Sequence, residues 1–248
     1  YRLCEYVDKL ADGKTHQYLV LDLSDPTLAM NMAQLDEFTR RVERFKKSGK
    51  KTIAWLEDAS TVALAIAASC DEVLMADFGG IDMPSLAMQS MYYKDAFDLL
   101  GIQASVVRAG NFKGAVEPYT QSVMSAHLRE HYLQMLRRIN DGVVAKIAAG
   151  RGLEKELIRR LQKQRIVLPE EALTAGLVDD LAPYGSLRTT LSERIPGELV
   201  WSSPATKPQR SVSFFELMGS LMSGPKTATR TRGSVIAVLH LSGNIISG

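Results

Sequence analysis

The first 200 residues alternate between short, largely apolar runs and longer segments whose apolar positions recur every three or four residues. The short runs lie at 18–23, 52–56, 72–75 and 104–108. Runs of this length are typical of strands buried in a parallel sheet, and the three-to-four spacing is typical of amphipathic helices. Parallel strands that alternate with helices need right-handed crossovers, so the pattern predicts an α/β fold.

The amphipathic segments predict seven helices. They are 3–10, a helix from Met32 to the lysines before Gly49, 60–69, 88–100, 125–149, 153–162 and a last helix from Pro169 to Gly176. In the second of these, Leu35, Phe38, Val42 and Phe45 are expected to face the core, because they share one side of a helix. Residues 79–80 are both glycine and predict a turn after the third strand.

Regular patterning fades after Ser186. Residues 202–233 have the Ser-, Pro-, Thr- and Gly-rich composition of a linker, apart from an apolar island at 214–222 with helical spacing. We interpret the island as a short helix that docks on protein, with a membrane-surface helix as the alternative. A new apolar strand and a glycine turn follow. The predicted organisation is a first repeat at 1–200, a linker at 201–233 and the first strand of a second repeat at 234–248.

Composition excludes several classes of function. The chain has 248 residues, of which 46% are hydrophobic, and a formal net charge of +2 at pH 7. A net charge this small does not predict nucleic-acid binding. The sequence contains no run of 18 apolar residues, so it does not predict a membrane span. The chain starts at Tyr1 without a signal-peptide pattern or an initiator Met, so we expect it to be part of a longer protein. Cys4 and Cys70 lie among apolar residues and are expected to be small buried side chains.

The common catalytic and ligand-binding patterns are missing. His127 and His131 stand four apart on one predicted helix, but the residues between them are Leu-Arg-Glu, so the zinc-protease pattern His-Glu-x-x-His is absent. We interpret this pair as part of a solvated helix face. No phosphate-binding glycine loop, dinucleotide-binding glycine pattern or Gly-x-Ser-x-Gly elbow occurs either. The sequence therefore predicts neither a metal nor a cofactor.

The stretch 103–121 carries the group that we expect to do chemistry. A β-branched run leads to Gly110, and Lys113 follows between Phe112 and Gly114. A lysine can act as the general base for a serine when burial lowers its pKa, and such a dyad needs neither a histidine nor an acid. Spacing alone does not distinguish this role from that of a surface lysine in a turn.

The residues around Lys113 resemble the lysine motif of the signal peptide peptidase A family (protease IV). The motif reads Gly-Asn-Phe-Lys-Gly-Ala-Val-Glu-Pro-Tyr over residues 110–119, and Met124-Ser125 follow it. Further resemblance lies at 19–23, 65–75, 91–94, 150–153, 175–181 and 236–248. It covers most of residues 3–190 and the end of the chain.

This resemblance implies a crotonase-like or Clp-protease-like fold, which is a spiral of ββα units, with a helical extension. It implies a serine endopeptidase with a Ser/Lys dyad that cleaves signal peptides and other small peptides, with Lys113 as the catalytic base. Long members carry two tandem copies of the fold, in which the first supplies the lysine and the second the serine. The resemblance also implies a homotetramer at the bacterial inner membrane, with a periplasmic or otherwise extracytoplasmic catalytic domain and an anchor outside this chain.

The serine position departs from the family pattern. In the catalytic copy of the family, the nucleophilic serine precedes Gly-Gly and an aromatic residue. These residues lie at the start of the helix that follows the second of the strands predicted above. In this chain the corresponding residues are Ser60-Thr61-Val62-Ala63. Without the glycines, an oxyanion hole of backbone N–H groups is not expected. We therefore predict that Ser60 is a helix N-cap, that this chain contributes the base, and that the nucleophilic serine lies beyond Gly248.

Two other functions are compatible with the same fold. A catalytically inactive scaffold or peptide-binding module is favoured by the missing Gly-Gly after Ser60. An acyl-CoA enzyme of the crotonase type is disfavoured for two reasons. Such enzymes need acid–base carboxylates beside the acyl thioester, and the residues around Lys113 are not those found in such enzymes.

Overall fold

A computed structural model of the chain describes residues 2–25, 28–106 and 114–202. Its strands are β1 (Tyr18–Asp22), β2 (Lys51–Ser60), β3 (Glu72–Asp82), β4 (Ile166–Val167) and β5 (Asp180–Ala182). Its helices are α1 (Arg2–Asp12), α2 (Met32–Lys47), α3 (Thr61–Ala67), α4 (Lys94–Leu99), α5 (Glu117–Thr120), α6 (Ala126–Arg151), α7 (Lys155–Gln164), α8 (Pro169–Thr174) and α9 (Leu187–Arg194). The predicted helix at 214–222 and the predicted strand from 234 lie outside the described residues.

The strands form one sheet around a parallel core. β1, β2 and β3 lie side by side in chain order and run parallel, so that Tyr18 is opposite Lys51 and Ser60 is opposite Asp82. On the far edge of β3, β5 pairs parallel to its first half and β4 pairs antiparallel to its end. Because α2 and α3 connect the three parallel neighbours, the α/β order predicted from the sequence is confirmed.

Both faces of the sheet are buried, which explains the continuous apolar runs. Ala54 and Leu56 of β2 point into the larger core, together with residues of α2, α3, α6, α7 and α8. Ile53 and Trp55 point to the opposite face and pack with Leu191 of α9. Successive side chains of a strand point to opposite faces, so a strand covered on both sides needs apolar residues at every position.

Helix α3 is small and almost fully buried, and this lets α6 approach it closely. Residues 63–67 of α3 are all buried. Gly150, in the last turn of α6, lies so near the end of α3 that a Cβ atom at this position would be 2.1 Å from the Ala68 carbonyl oxygen. A glycine is therefore required there by the close approach of the two helices.

We expect Gly150→Ala to destabilise the protein by about 1–3 kcal/mol, the usual cost of forcing extra volume into a packed site. The sign of the change in the free energy of unfolding is informative, because alanine in place of glycine normally stabilises a helix by about 1 kcal/mol. Gly142→Ala in the same helix is the matched control, since its Cβ would meet only the flexible end of Met32, at 3.3 Å. Urea unfolding of both variants measures the difference, and a stabilised Gly150→Ala protein would contradict the close contact.

The predicted turn at 79–80 is wrong, because β3 continues to Asp82. The strand accommodates the glycines in a bulge: Leu56 is opposite Met75, but Asp58 is opposite Gly80. Gly79 has φ +135°, and a Cβ there would lie 2.6 Å from the Glu57 carbonyl oxygen. Here glycine permits an irregular continuation of the strand rather than its end.

Three further predictions need correction. The helix predicted at 88–100 is limited to α4, which buries none of its residues and so has no core contact to extend it. The strand predicted at 104–108 is not formed at 104–106, and its last two residues lie outside the described part of the chain. After Ser186, where patterning fades, α9 still forms and buries Thr190 and Leu191.

Cys70 is a buried core residue, as predicted, and desolvation raises the pKa of its thiol to about 12. Cys4 is half-buried and packs against the same core. Among the described residues, no three His, Cys, Asp or Glu side chains are placed to hold a metal ion, and no helix is long and apolar enough to cross a membrane.

Candidate active-site region

Lys113, the predicted general base, lies outside the described residues. The chain is described again from Gly114, which begins a 3-10 turn at Gly114–Val116 and is buried. A Cβ at Gly114 would lie 2.4 Å from both terminal methyl groups of Leu128, in the first turn of α6. The residue that follows Lys113 is thus packed directly against α6.

The short helix α5, which follows that turn, is attached to α6 through Glu117. This side chain is fully buried, and its carboxylate accepts hydrogen bonds from the Ser125 backbone N–H (3.0 Å) and hydroxyl (2.7 Å). The Ser125 hydroxyl also caps α6, because it accepts a hydrogen bond from the Leu128 N–H (3.2 Å). One carboxylate therefore fixes α5 to the start of the longest described helix.

Tyr92 lies close enough to Glu117 to feel its charge. The Tyr92 hydroxyl is buried and has no hydrogen-bond partner among the described residues. Burial raises the pKa of Tyr92, and the charges of Glu117 and Tyr132 raise it further. The neighbouring Tyr93 ties this segment to α5, because its N–H donates to the Pro118 carbonyl oxygen (2.7 Å). The Glu117 carboxylate is thus buried, and its charge is felt by the Tyr92 hydroxyl.

An exposed apolar surface lies beside this region, on α4 and α5. The rings of Tyr93, Phe97 and Tyr119 stack with centroids 5.9–6.5 Å apart. Leu99 and Leu100 are 89% and 72% exposed. Exposed apolar side chains that cluster on a surface often mark a contact with another protein or a membrane.

Ser60 is the N-cap of α3, as predicted. Its hydroxyl oxygen accepts a hydrogen bond from the Ala63 N–H (3.2 Å), and its backbone is extended. Within the described ranges, no lysine or histidine nitrogen lies within hydrogen-bond distance of this hydroxyl. Ser60 is therefore engaged in helix capping and is not activated by a described base.

An ion pair that the sequence did not reveal lies next to Ser60. Strand pairing places Asp82 opposite Ser60, and Asp82 Oδ1 lies 3.1 Å from Arg165 Nε. Arg165 itself has φ 77°, which is unusual for a residue other than glycine. Both side chains of the pair remain more than half exposed, so the pair contributes little to stability.

Glu117 and Ser125 belong to the motif read from the sequence, but no role was predicted for either side chain. Glu117 is followed by proline and Ser125 precedes a long amphipathic segment, so the sequence contained a helix start and an N-cap signal. Nothing in that pattern indicated that the two side chains meet. Their contact depends on the return of the chain between α5 and α6.

Curated relatives of this chain are proteases. Protease 4 of Haemophilus influenzae is 29% identical over 158 residues, which are 64% of this chain and 26% of that protein. Protease 4 of Salmonella typhi is 26% identical over 245 residues, or 96% of this chain and 38% of the relative. The chloroplastic serine protease SPPA of Arabidopsis thaliana is 23% identical over 69% of this chain and 25% of its own length. The chain thus spans only a quarter to two-fifths of these relatives.

Solved structures show weaker similarity. ThnE from S. clavuligerus superposes with a TM-score of 0.46 at 16% identity, covering 78% of this chain and 71% of that one. A membrane-bound stomatin-specific protease in complex with a substrate peptide gives a TM-score of 0.41 at 14% identity, covering 73% and 68%.

The sequence pattern of peptidase family S49 matches residues 44–195. This range runs from the end of α2 through the parallel strands to α9 and is more than half of the chain. It confirms the predicted resemblance to the signal peptide peptidase A family, and with the parallel strand order it confirms the predicted crotonase-like or Clp-protease-like fold class. The chain belongs to peptidase family S49.

Proposed function

We propose that this chain supplies the lysine general base of a serine endopeptidase with a Ser/Lys dyad, and that the longer protein supplies the nucleophilic serine. The observation that carries the proposal is the S49 match, which encloses Lys113 and its motif. The direct test is replacement of Lys113 by alanine in the full-length protein, with peptide hydrolysis as the readout.

The arrangement of the described residues supports this division of roles. Ser60 lies in the segment that we match to the family's serine position, where Thr61 or its neighbour stands near the serine slot, but its hydroxyl caps α3. By contrast, the residues that directly follow Lys113 are packed and hydrogen-bonded against α6, through Gly114 and Glu117. A rigid support next to the lysine is what a general base needs, because proton transfer requires a fixed geometry.

In this proposal, neutral Lys113 takes the proton from the serine hydroxyl as the serine oxygen attacks the scissile carbonyl carbon. The ammonium then returns that proton to the leaving amine, and a water molecule hydrolyses the acyl-enzyme by the same route. Backbone N–H groups of the second copy would stabilise the oxyanion. The substrates would be signal peptides and other small peptides bound in extended form.

We further propose assembly as a homotetramer at the bacterial inner membrane, with an extracytoplasmic catalytic domain. The exposed apolar surface on α4 and α5 supports assembly, because Leu99, Leu100 and the aromatic stack would be costly to leave in water. Molar mass measured by light scattering on the full-length protein tests this part of the proposal.

We expect Ser60→Ala to cost about 1 kcal/mol of stability, through loss of the N-cap, without loss of peptidase activity in the full-length protein. Ser60→Thr preserves a capping hydroxyl and is the matched control. Thermal unfolding and peptide hydrolysis are measured in parallel. A Ser60→Ala protein that is stable but inactive would mean that Ser60 is the nucleophile.

The second candidate function is an inactive scaffold or peptide-binding module. It is favoured by the missing Gly-Gly after Ser60 and by the capping role of the Ser60 hydroxyl. The discriminating observation is the sequence beyond Gly248. A Ser-Gly-Gly-aromatic segment followed by a Thr-Gly-Ser-type turn supports the protease, and its absence supports the scaffold.

A further inference from the structure

A fully buried carboxylate, Glu117, has no role in the proton transfers described above. Burial of an ionised carboxylate costs several kcal/mol unless hydrogen bonds or charges compensate for it. Two donors of Ser125 lie within 3.0 Å and 2.7 Å of its oxygens, so at least part of this cost is offset. A buried acid that is retained in this way calls for an explanation beyond packing.

The position of Glu117 connects three features of the region. It lies four residues after Lys113. Its carboxylate holds Ser125, the residue that caps α6. The same first turn of α6 contributes Leu128, against which Gly114 is packed. The segment that follows Lys113 is thus held against α6 at two points, Gly114 and Glu117.

We propose that Glu117 is a positioning residue for the Ser/Lys reaction, which holds the backbone after Lys113 in place through Ser125. This inference rests on the proposed function. It predicts that the carboxylate acts by geometry, through its two hydrogen bonds to Ser125. It also predicts an effect of charge, because Glu117 stands four residues from Lys113 in the sequence and a negative charge favours the protonated amine.

Two described groups act on or near Glu117. Ser125 at the start of α6 donates two hydrogen bonds to its carboxylate, and Tyr92 before α4 has a pKa that the charge of Glu117 raises. Among them, Ser125 holds the carboxylate without carrying a charge. Substitutions at 117 and 125 therefore separate the effect of charge from the effect of geometry.

The experiment uses the full-length protein and a peptide substrate. Glu117→Gln removes the charge, Ser125→Ala removes a hydrogen bond but keeps the charge, and Ser125→Thr keeps the hydroxyl. Glu130→Gln, at an exposed glutamate of α6, is the matched control for the first change. Circular dichroism at the assay temperature gives the folded fraction, and kcat, KM and the pH profile of kcat/KM are measured for each.

We expect kcat of folded Glu117→Gln and Ser125→Ala to fall by roughly tenfold to a hundredfold, the loss caused by displacing a reacting group by about 1 Å. KM should change little, and Ser125→Thr and Glu130→Gln should match the wild type. The apparent pKa of the acid limb of kcat/KM should move to lower pH in Glu117→Gln and stay in place in Ser125→Ala.

A Glu117→Gln protein with wild-type kcat overturns the inference. So does a loss that equals the unfolded fraction and leaves the pH profile unchanged, because that is a structural effect only. If Glu117→Gln does not fold, kcat of Ser125→Ala decides by the same criterion. A fully active Lys113→Ala protein overturns the proposed function itself. If Lys113→Ala is inactive but Glu117→Gln has wild-type activity, only the role of Glu117 is overturned.

Discussion

Lys113→Ala is expected to lower kcat/KM for peptide hydrolysis by about 10²–10⁴-fold in the full-length protein, the usual contribution of a general base. Without the amine, no group takes the proton from the serine, and the hydroxyl is a poor nucleophile at neutral pH. Lys113→Arg should be nearly as inactive, because a guanidinium stays protonated and cannot accept a proton. Initial rates with a chromogenic peptide or acyl ester give the measurement.

Lys155→Ala is the matched control, since this lysine is exposed at the start of α7. It should keep wild-type kcat/KM. Unfolding curves of both variants show whether a loss of rate reflects a loss of structure. If Lys113→Ala hydrolyses peptides within a fewfold of the wild type, the dyad assignment is wrong.

Arg151→Met is expected to lower the free energy of unfolding by about 2 kcal/mol, between the cost of losing an exposed ion pair and that of breaking a buried one, because Asp179 is 39% exposed. The Arg151 side chain is 9% exposed, and it donates to both oxygens of Asp179 (2.6 and 3.0 Å) and to the Gly176 carbonyl oxygen (3.1 Å). Asp179 also accepts a hydrogen bond from Val73 of β3 (2.7 Å). The substitution leaves a partly buried carboxylate without its cation.

Arg159→Met is the control, because Arg159 pairs with Asp141 and Glu156 while 42% exposed. Such a surface pair is worth about 1 kcal/mol or less. Urea unfolding at pH 7 compares the two variants. Equal losses would contradict the structural role assigned to Arg151.

The ion pair between Arg151 and Asp179 also makes the stability of the protein depend on pH. Burial alone would raise the pKa of Asp179, but hydrogen bonds from Arg151 and Val73 and the charge of Arg151 outweigh it and lower the pKa. A carboxyl whose pKa is lower in the folded state stabilises the protein above its unfolded pKa of about 3.9. That contribution is lost as the pH falls through the folded pKa. The difference between wild type and Arg151→Met should therefore shrink below about pH 4.

Local signals accounted for most predictions that were confirmed. Ser60 was predicted as an N-cap because a serine before an apolar segment satisfies a free N–H of the first helical turn, and the structure has this hydrogen bond. The helix from Met32 was predicted because its apolar residues share one face, and Leu35, Phe38, Val42 and Phe45 are all buried. Both signals lie within a few residues of the feature that they predict.

The failures have a common cause in contacts between distant segments. The glycines at 79–80 are typical of a turn, but pairing of β3 with β2 keeps them in a strand. Residues 88–93 have helical spacing, yet they form no helix, and α4 itself finds no core to pack against. Propensity is a weak determinant where tertiary packing either overrides it or fails to support it.

The sequence by itself determined the order of the main elements, the S49 resemblance, the candidate base Lys113 and the capping role of Ser60, because these depend on residue type and short-range spacing. Only the tertiary structure decided that Gly150 touches α3, that Arg151 joins Asp179, and that Glu117 is buried against Ser125. Each of these contacts depends on how the chain returns on itself, and burial then makes a polar contact strong. Lys113 was therefore predicted from its motif, whereas the contact between Glu117 and Ser125 was found only from the fold.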